Sequence, residues 1–260
     1  MSTSRRLHCR VCGTLSPFVF SQRVLGHEAG YFDCPTCSYL QTETPHWLEQ
    51  AYSQAINDVD TGILQRNRLN VGRVIMTLLI LGRLQGRVID YAGGYGILVR
   101  ALRDAGVDAY WQDKYCENLL ARGFEATDPQ CDLLTAFEVF EHLVNPLDDL
   151  SAMLDASDTV LVSTELVASS KAPAPDWWYY GPEHGQHIGF FRRSTLRWMA
   201  VKLGVHVQTD GSAVHLFSRR PIPSYWTAAV RRGRLWPVVA RLRLRSRTMT
   251  DFATLREQRR

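Results

Sequence analysis

Val88-Ile-Asp-Tyr-Ala-Gly-Gly-Tyr-Gly96 sets a short apolar run ahead of a glycine turn, and Ile97 to Ala105 then carries apolar residues at helical spacing until Gly106 stops it. A buried strand that feeds a glycine turn and a helix N-terminus brings backbone close to a ligand and offers unpaired amides to an anion. Ala109 to Gln112 reads as a second strand, closed by Asp113, 23 residues after Asp90. A carboxylate there can accept hydrogen bonds from two adjacent ribose hydroxyls. Without that aspartate, the turn would be as well explained as an ordinary tight turn.

Asp132 to Phe137 and Thr159 to Thr164 are apolar strands separated by the helical stretch Leu147 to Leu154. Strand and helix alternate as a parallel sheet requires. Leu196 to Leu203 reads as a further helix, and His206 to Gln208 faces Val214 to Phe217 across the turn Asp210-Gly211-Ser212 as a terminal hairpin. The expected fold class is therefore α/β, a Rossmann-like, mostly parallel sheet whose last strand is antiparallel. A dinucleotide is the rival ligand for the turn, but the pattern counted from Gly94 and Gly96 wants a small residue where Val99 stands.

With 260 residues, 45% of them hydrophobic and 22% charged, the chain can bury one α/β core and a small appended module. Cys9-x-x-Cys12 and Cys34-x-x-Cys37, with 21 residues between the pairs, supply four thiolates for a tetrahedral zinc ion; Cys116 and Cys131 stand alone. With all four positions filled by protein, such a zinc is structural. Four segments follow: a four-cysteine module over 1–45, a helical connector over 46–85, the Rossmann-like domain over 86–218 and a basic tail over 219–260.

The net charge of +4 is uneven, since residues 219–260 hold twelve arginines against Asp251 and Glu257, leaving −6 for residues 1–218. Written as one helix, the tail puts Leu235, Val238, Val239, Leu242, Met249 and Phe252 on one face, an amphipathic basic helix suited to an anionic membrane surface or a phosphate-rich partner. A solvated terminal extension is the equal alternative. The four-cysteine segment is too weakly basic to grip nucleic acid. No apolar run nears the roughly 20 residues that cross a bilayer, and the N-terminus has no apolar signal core, so the expectation is a cytoplasmic protein, membrane-peripheral at most.

Asp90-Tyr91-Ala92-Gly93-Gly94-Tyr95-Gly96 resembles the first motif of class I S-adenosylmethionine-dependent methyltransferases, Asp-x-Gly-x-Gly-x-Gly, with Ala92 in place of the first glycine. The resemblance implies that Asp90, Ala92, Gly93, Gly94, Gly96, Asp113 and Phe137 bind S-adenosylmethionine, its methionine carboxylate lying at the helix N-terminus. Cys131 to Pro146 is similar to the motif after the fourth strand in quinone and sugar methyltransferases, where a Glu-His pair precedes a proline-started helix, which points to Glu138 and His142. The four-cysteine module, followed by Pro45 to Tyr52 and Asp60 to Asn67, resembles zinc-containing methyltransferases of bacterial sugar and surface-polysaccharide synthesis.

Methyl transfer to a hydroxyl or acidic carbon needs a proton acceptor, and histidine titrates in the right range. The stretch Trp177 to Phe191 reads as an aromatic lid for a small-molecule or glycan acceptor, with His187 as the base and His184 or Tyr180 assisting. In sugar C-methyltransferases the corresponding stretch carries Glu-His, whereas here Gln186 precedes His187. Oxygen and carbon therefore both stay open as methyl acceptors. The other reading is a zinc-ribbon nucleic-acid-binding module on a catalytically silent scaffold.

Overall fold

The computed structural model describes residues 5–53 and 60–258, so residues 54–59 of the expected helical connector and 259–260 of the tail lie outside the described residues. In chain order the strands are β1 (Arg6–His8), β2 (Leu15–Val24), β3 (His27–Asp33), β4 (Leu40–Thr42), β5 (Arg87–Tyr91), β6 (Asp108–Gln112), β7 (Leu133–Phe137), β8 (Thr159–Ser163), β9 (Gly189–Phe190), β10 (His206–Thr209) and β11 (Val214–Ser218). The helices are α1 (Leu48–Ala51), α2 (Ile63–Ile80), α3 (Ile97–Asp104), α4 (Pro146–Ala156), α5 (Arg193–Leu203), α6 (Trp226–Arg231), α7 (Trp236–Arg243) and α8 (Thr248–Glu257).

A five-stranded sheet runs β1-β2-β3-β4-β9. Its longest hairpin pairs Val24 with His27 across Leu25 and Gly26, both at positive φ, as a two-residue hairpin turn demands. The sheet that begins in the cysteine-bearing segment borrows its last strand from far downstream, Leu40 pairing with Phe190 and Gln41 with Gly189. A Cβ at Gly189 would fall 1.8 Å from the Tyr39 hydroxyl, so only glycine lets β9 approach.

The aromatic stretch 177–191, expected as a lid, serves instead as core. Tyr179, Tyr180, Ile188 and Phe190 bury against Tyr31, Leu40 and Trp47, the Tyr31 and Tyr180 rings meeting edge to face at 5.1 Å. Burying a ring removes so much apolar surface from water that core outcompetes lid wherever a sheet face is available. Of this stretch, Trp178 stays largely exposed, at 73%.

The second sheet has the order β10-β11-β8-β7-β5-β6. β5 pairs in parallel with β6 on one side and β7 on the other, Val88 opposite Ala109 and Leu133. This α/β sheet with a parallel centre agrees with the Rossmann-like expectation. Between β10 and β11 the Asp210 carboxylate accepts the amides of Ser212, Ala213 and Val214, closing the turn.

The tail departs from the single-helix expectation. Leu244 is extended (φ −122°, ψ 160°) and separates α7 from α8. Trp226 is fully buried and its indole N–H donates to Thr77 Oγ1 of α2 at 3.0 Å. A Cβ at Gly72 would meet the Gly233 carbonyl at 2.5 Å, so α2 and the tail touch backbone to backbone. Asp251 of α8 takes the Arg103 guanidinium at 2.8 and 2.7 Å, beneath which lies the Phe124 ring, 3.7 Å away. Leu235, Val238, Leu242, Met249 and Phe252 are each more than half exposed. Among the described residues no helix is long and apolar enough to cross a membrane.

Two compact units divide the chain. One gathers the described residues up to Ser53 with Glu138–Met153 and Val162–Phe217; the other gathers Asp60 to Phe137, Leu154–Leu161 and the described residues from Ser218 onward. Strand β8 contributes to both.

Candidate functional site

In the unit that holds β5, the chain leaves the strand through Ala92 at φ +55°, Gly94 at +54° and Gly96 at +82°. Ala92 thus adopts the left-handed conformation that a glycine would take freely, at a cost of roughly 1–2 kcal/mol. Glycine is required at Gly96, where a Cβ would lie 2.8 Å from Asn118 Oδ1, and at Gly93, where it would lie 2.9 Å from the Trp111 ring. The Trp111 indole N–H fixes the Gly94 carbonyl at 2.8 Å.

Asp113 braces this turn. One carboxylate oxygen accepts the Gly94 amide at 2.9 Å and the other accepts the amides of Tyr115 at 2.7 Å and Cys116 at 2.9 Å. An ionised carboxylate offers about four acceptor sites, so capacity for a ligand hydroxyl remains. Asp90 faces inward, 4% exposed, and accepts the Thr135 hydroxyl at 2.6 Å. Burial pushes its pKa up to about 7, the Thr135 hydrogen bond opposing and the Asp113 charge adding to the shift. Phe137 is half-buried at the end of β7. The glycine cradle ahead of the α3 N-terminus fits the methionine carboxylate of S-adenosylmethionine.

In the other unit the two Cys-x-x-Cys turns share one geometry. The Cys9 carbonyl accepts the Gly13 amide at 2.8 Å and the Cys34 carbonyl the Ser38 amide at 3.0 Å, with Gly13 and Ser38 both left-handed. The thiols approach pairwise, Cys9 to Cys37 at 3.5 Å and Cys12 to Cys34 at 3.4 Å, and all four lie within 4.8 Å of one another. Sulfurs around a tetrahedral zinc at about 2.3 Å stand roughly 3.8 Å apart, so the set fits zinc and leaves no position open for water. Arg192 anchors the second turn: its guanidinium is bidentate to Asp33 at 2.8 Å and donates to the Ser38 and Ser169 carbonyls. Nothing in the spacing of the sequence announced this buried arginine.

The same unit collects the expected histidines. Glu138 sits exposed at φ +55°, its amide and carboxylate both hydrogen-bonded to the Ser163 hydroxyl. The chain then makes one 3-10 turn, Phe140–His142, which buries Glu141 completely and presents His142. His142 and His187 stack edge to face with centroids 5.0 Å apart, and His184 lies 4.7 Å from His187. Burial holds His142 down to about 4, and depresses His187 well below, and His184 below, the usual imidazole range. All three rings are neutral at physiological pH.

One expected participant, Tyr180, and the departing residue Gln186 point elsewhere. The Tyr180 hydroxyl donates to the Pro173 carbonyl at 3.0 Å. Gln186 is buried and its amide donates to the Ala51 carbonyl at 2.9 Å. A carboxylate in its place would confront that carbonyl with no proton to share. Glu141, which the sequence reading did not single out, precedes His142 directly and is the buried acid of this turn.

A family profile described as a methyltransferase domain matches residues 64–209. No curated protein matches the chain. Solved structures similar to it include Burkholderia thailandensis 1,6-didemethyltoxoflavin-N1-methyltransferase, 12% identical over 78% of this chain and 100% of that one, with a TM-score of 0.48. Another is magnesium protoporphyrin IX methyltransferase of Synechocystis PCC 6803, 16% identical over 67% of this chain and 95% of that one, with a TM-score of 0.43. With the family profile covering more than half of its length, including the glycine turn and its aspartates, the chain belongs to this methyltransferase-domain family and is an S-adenosylmethionine-dependent methyltransferase.

Proposed function

We propose that the chain methylates a small-molecule or glycan acceptor at a hydroxyl or acidic carbon, with His187 taking the proton. The observation that carries this reading is the tautomer. His187 Nδ1 lies 2.6 Å from the Tyr179 carbonyl; a carbonyl only accepts, so Nδ1 bears the hydrogen and Nε2 keeps a lone pair. S-adenosylmethionine, when bound, supplies an electrophilic methyl group on a sulfonium. The protein's share is to hold the acceptor in line and remove a proton. Gly94, Gly96 and Asp113 hold the cofactor, and the four-cysteine zinc keeps the β1–β4 sheet in shape.

Gln186 is committed to Ala51 while the Glu141 carboxylate stands beside His142 and His187, so oxygen and carbon both stay open as methyl acceptors. His184 assists as a hydrogen-bond donor: its Nδ1 accepts the Gln186 amide at 3.1 Å, leaving Nε2 protonated. The resemblance to polysaccharide-associated enzymes makes a sugar the first acceptor to try. The exposed apolar residues and arginines of α7 and α8 support a peripheral contact with an anionic membrane surface at the cytoplasmic face.

Calorimetry on zinc-loaded protein should show S-adenosylhomocysteine binding, weakened by Asp113→Ala. In a screen of nucleotide sugars, His187→Ala should lower turnover by about 10²–10⁴-fold with cofactor binding kept. Absence of S-adenosylhomocysteine binding by the intact protein sinks the assignment. Unchanged turnover in His187→Ala removes the base.

A further inference from the structure

Glu141 is the most anomalous side chain among the described residues. It is fully buried, yet neither carboxylate oxygen has a hydrogen-bond partner of normal geometry. Buried carboxylates are almost always paired, hydrogen-bonded or bound to a metal. The Tyr179 and Thr164 hydroxyls lie beside it, and two imidazoles face it as well: one ligand atom from each of Glu141, His142 and His187 lies within 4.8 Å of the others. Neither ring brings a proton. His142 Nδ1 donates to the Gln186 carbonyl at 3.0 Å and His187 Nδ1 to the Tyr179 carbonyl at 2.6 Å, so both Nε2 atoms are lone-pair acceptors.

We propose that Glu141, His142 and His187 form a site for a divalent transition cation, separate from the four-cysteine site. Two neutral imidazoles and a carboxylate suit such a metal and leave coordination positions open. Both histidines already direct the other ring N–H to a backbone carbonyl, the outer-shell bond that fixes a ligating tautomer. Ligand atoms about 2.1 Å from one ion stand roughly 3 Å apart, so ring and carboxylate rotations on the order of an ångström close the site. His184 is excluded, because its Nδ1 accepts the Gln186 amide and its Nε2 carries the hydrogen.

The site rests on the methyltransferase reading and shares His187 with the proposed base, so the two uses of His187 Nε2 exclude each other. With an ion bound, that lone pair is engaged. The open positions would then suit an acceptor hydroxyl, whose proton would leave to water.

The test uses Mn²⁺, which thiolates bind poorly, on the full zinc-loaded chain. Electron paramagnetic resonance titration should give one Mn²⁺ per chain, and Mn²⁺ should raise the melting temperature. Glu141→Gln and His187→Ala should each weaken Mn²⁺ binding at least tenfold and abolish the shift, with the circular dichroism spectrum unchanged. Failure of the wild type to bind Mn²⁺, or equal binding by both variants, overturns the site. S-adenosylhomocysteine binding on the same samples reports the methyltransferase assignment separately. Full turnover without added cation, lost in His187→Ala, overturns the site while leaving His187 as the base.

Discussion

Asp90 shows how far one residue's environment can depart from its motif. The motif assigns it to the cofactor turn, yet the side chain is buried among β5, β7 and the turn, facing the Thr135 hydroxyl and the Asp113 carboxylate. Its folded pKa of about 7 lies above the roughly 3.9 of an unfolded aspartate. The native state therefore binds more protons, and this group's contribution to stability is complete below about pH 4 and lost as pH rises through 7. Asp90→Asn keeps the oxygen that accepts from Thr135 and removes the titration. Urea denaturation at stepped pH should show wild type losing stability relative to Asp90→Asn between about pH 4 and 7, with parallel curves above that. A pH-independent difference would mean that Asp90 is ionised throughout. Asp113 was legible because a strand-end carboxylate has a known use. Its backbone partners were not: the Gly94 amide comes from the glycine turn, but the other two come from a turn at 115–116 that no periodicity announces.

At the scale of elements, the strands and helices around the glycine turn were readable to within a few residues, because each is a buried run bounded by glycine, proline or charge. Strand β9 was invisible, two residues long and with no period to read. It exists because Gly189 admits the Tyr39 hydroxyl and because Arg192, just beyond it, is tied to Asp33 and Ser38. Arg192 and Asp33 are largely buried and hydrogen-bonded on both sides, so removing one partner strands the other's charge. Arg192→Ala should destabilise the fold by about 3–5 kcal/mol, read from chemical denaturation of the zinc-loaded protein. It should also speed zinc loss to a chelator, since the Ser38 carbonyl it holds follows the second Cys-x-x-Cys turn directly. A change below about 1 kcal/mol, the worth of an exposed pair, would show that the ion pair opens to water in solution.

For the whole molecule, the arginine tail is where composition misled most. Counting charges described a detachable basic extension, and the count was correct; what it could not register is which few residues are buried. Trp226 and Val230 are buried in the tail, Asp251 is the partner of a buried arginine, and Gly106 accepts the chain at Arg245 so closely that a Cβ would stand 2.6 Å from that carbonyl. These contacts lie within the unit that carries the cofactor turn, and Arg103 belongs to α3, whose N-terminus opens that turn. Ending the chain after Ser218 would expose the Trp226-facing side of α2 and deprive Arg103 of its bidentate partner Asp251, leaving the longer contact to Asp108, a loss of several kcal/mol in all. A domain of this size has only about 5–15 kcal/mol to lose. Such a truncation should therefore aggregate or melt far below the full chain and fail to bind S-adenosylhomocysteine. The exposed Leu242→Ser with Met249→Ser, at positions 73% and 72% exposed, should leave melting and cofactor binding intact. A truncated chain that melts and binds like the intact one would return the tail to the status of an appendage.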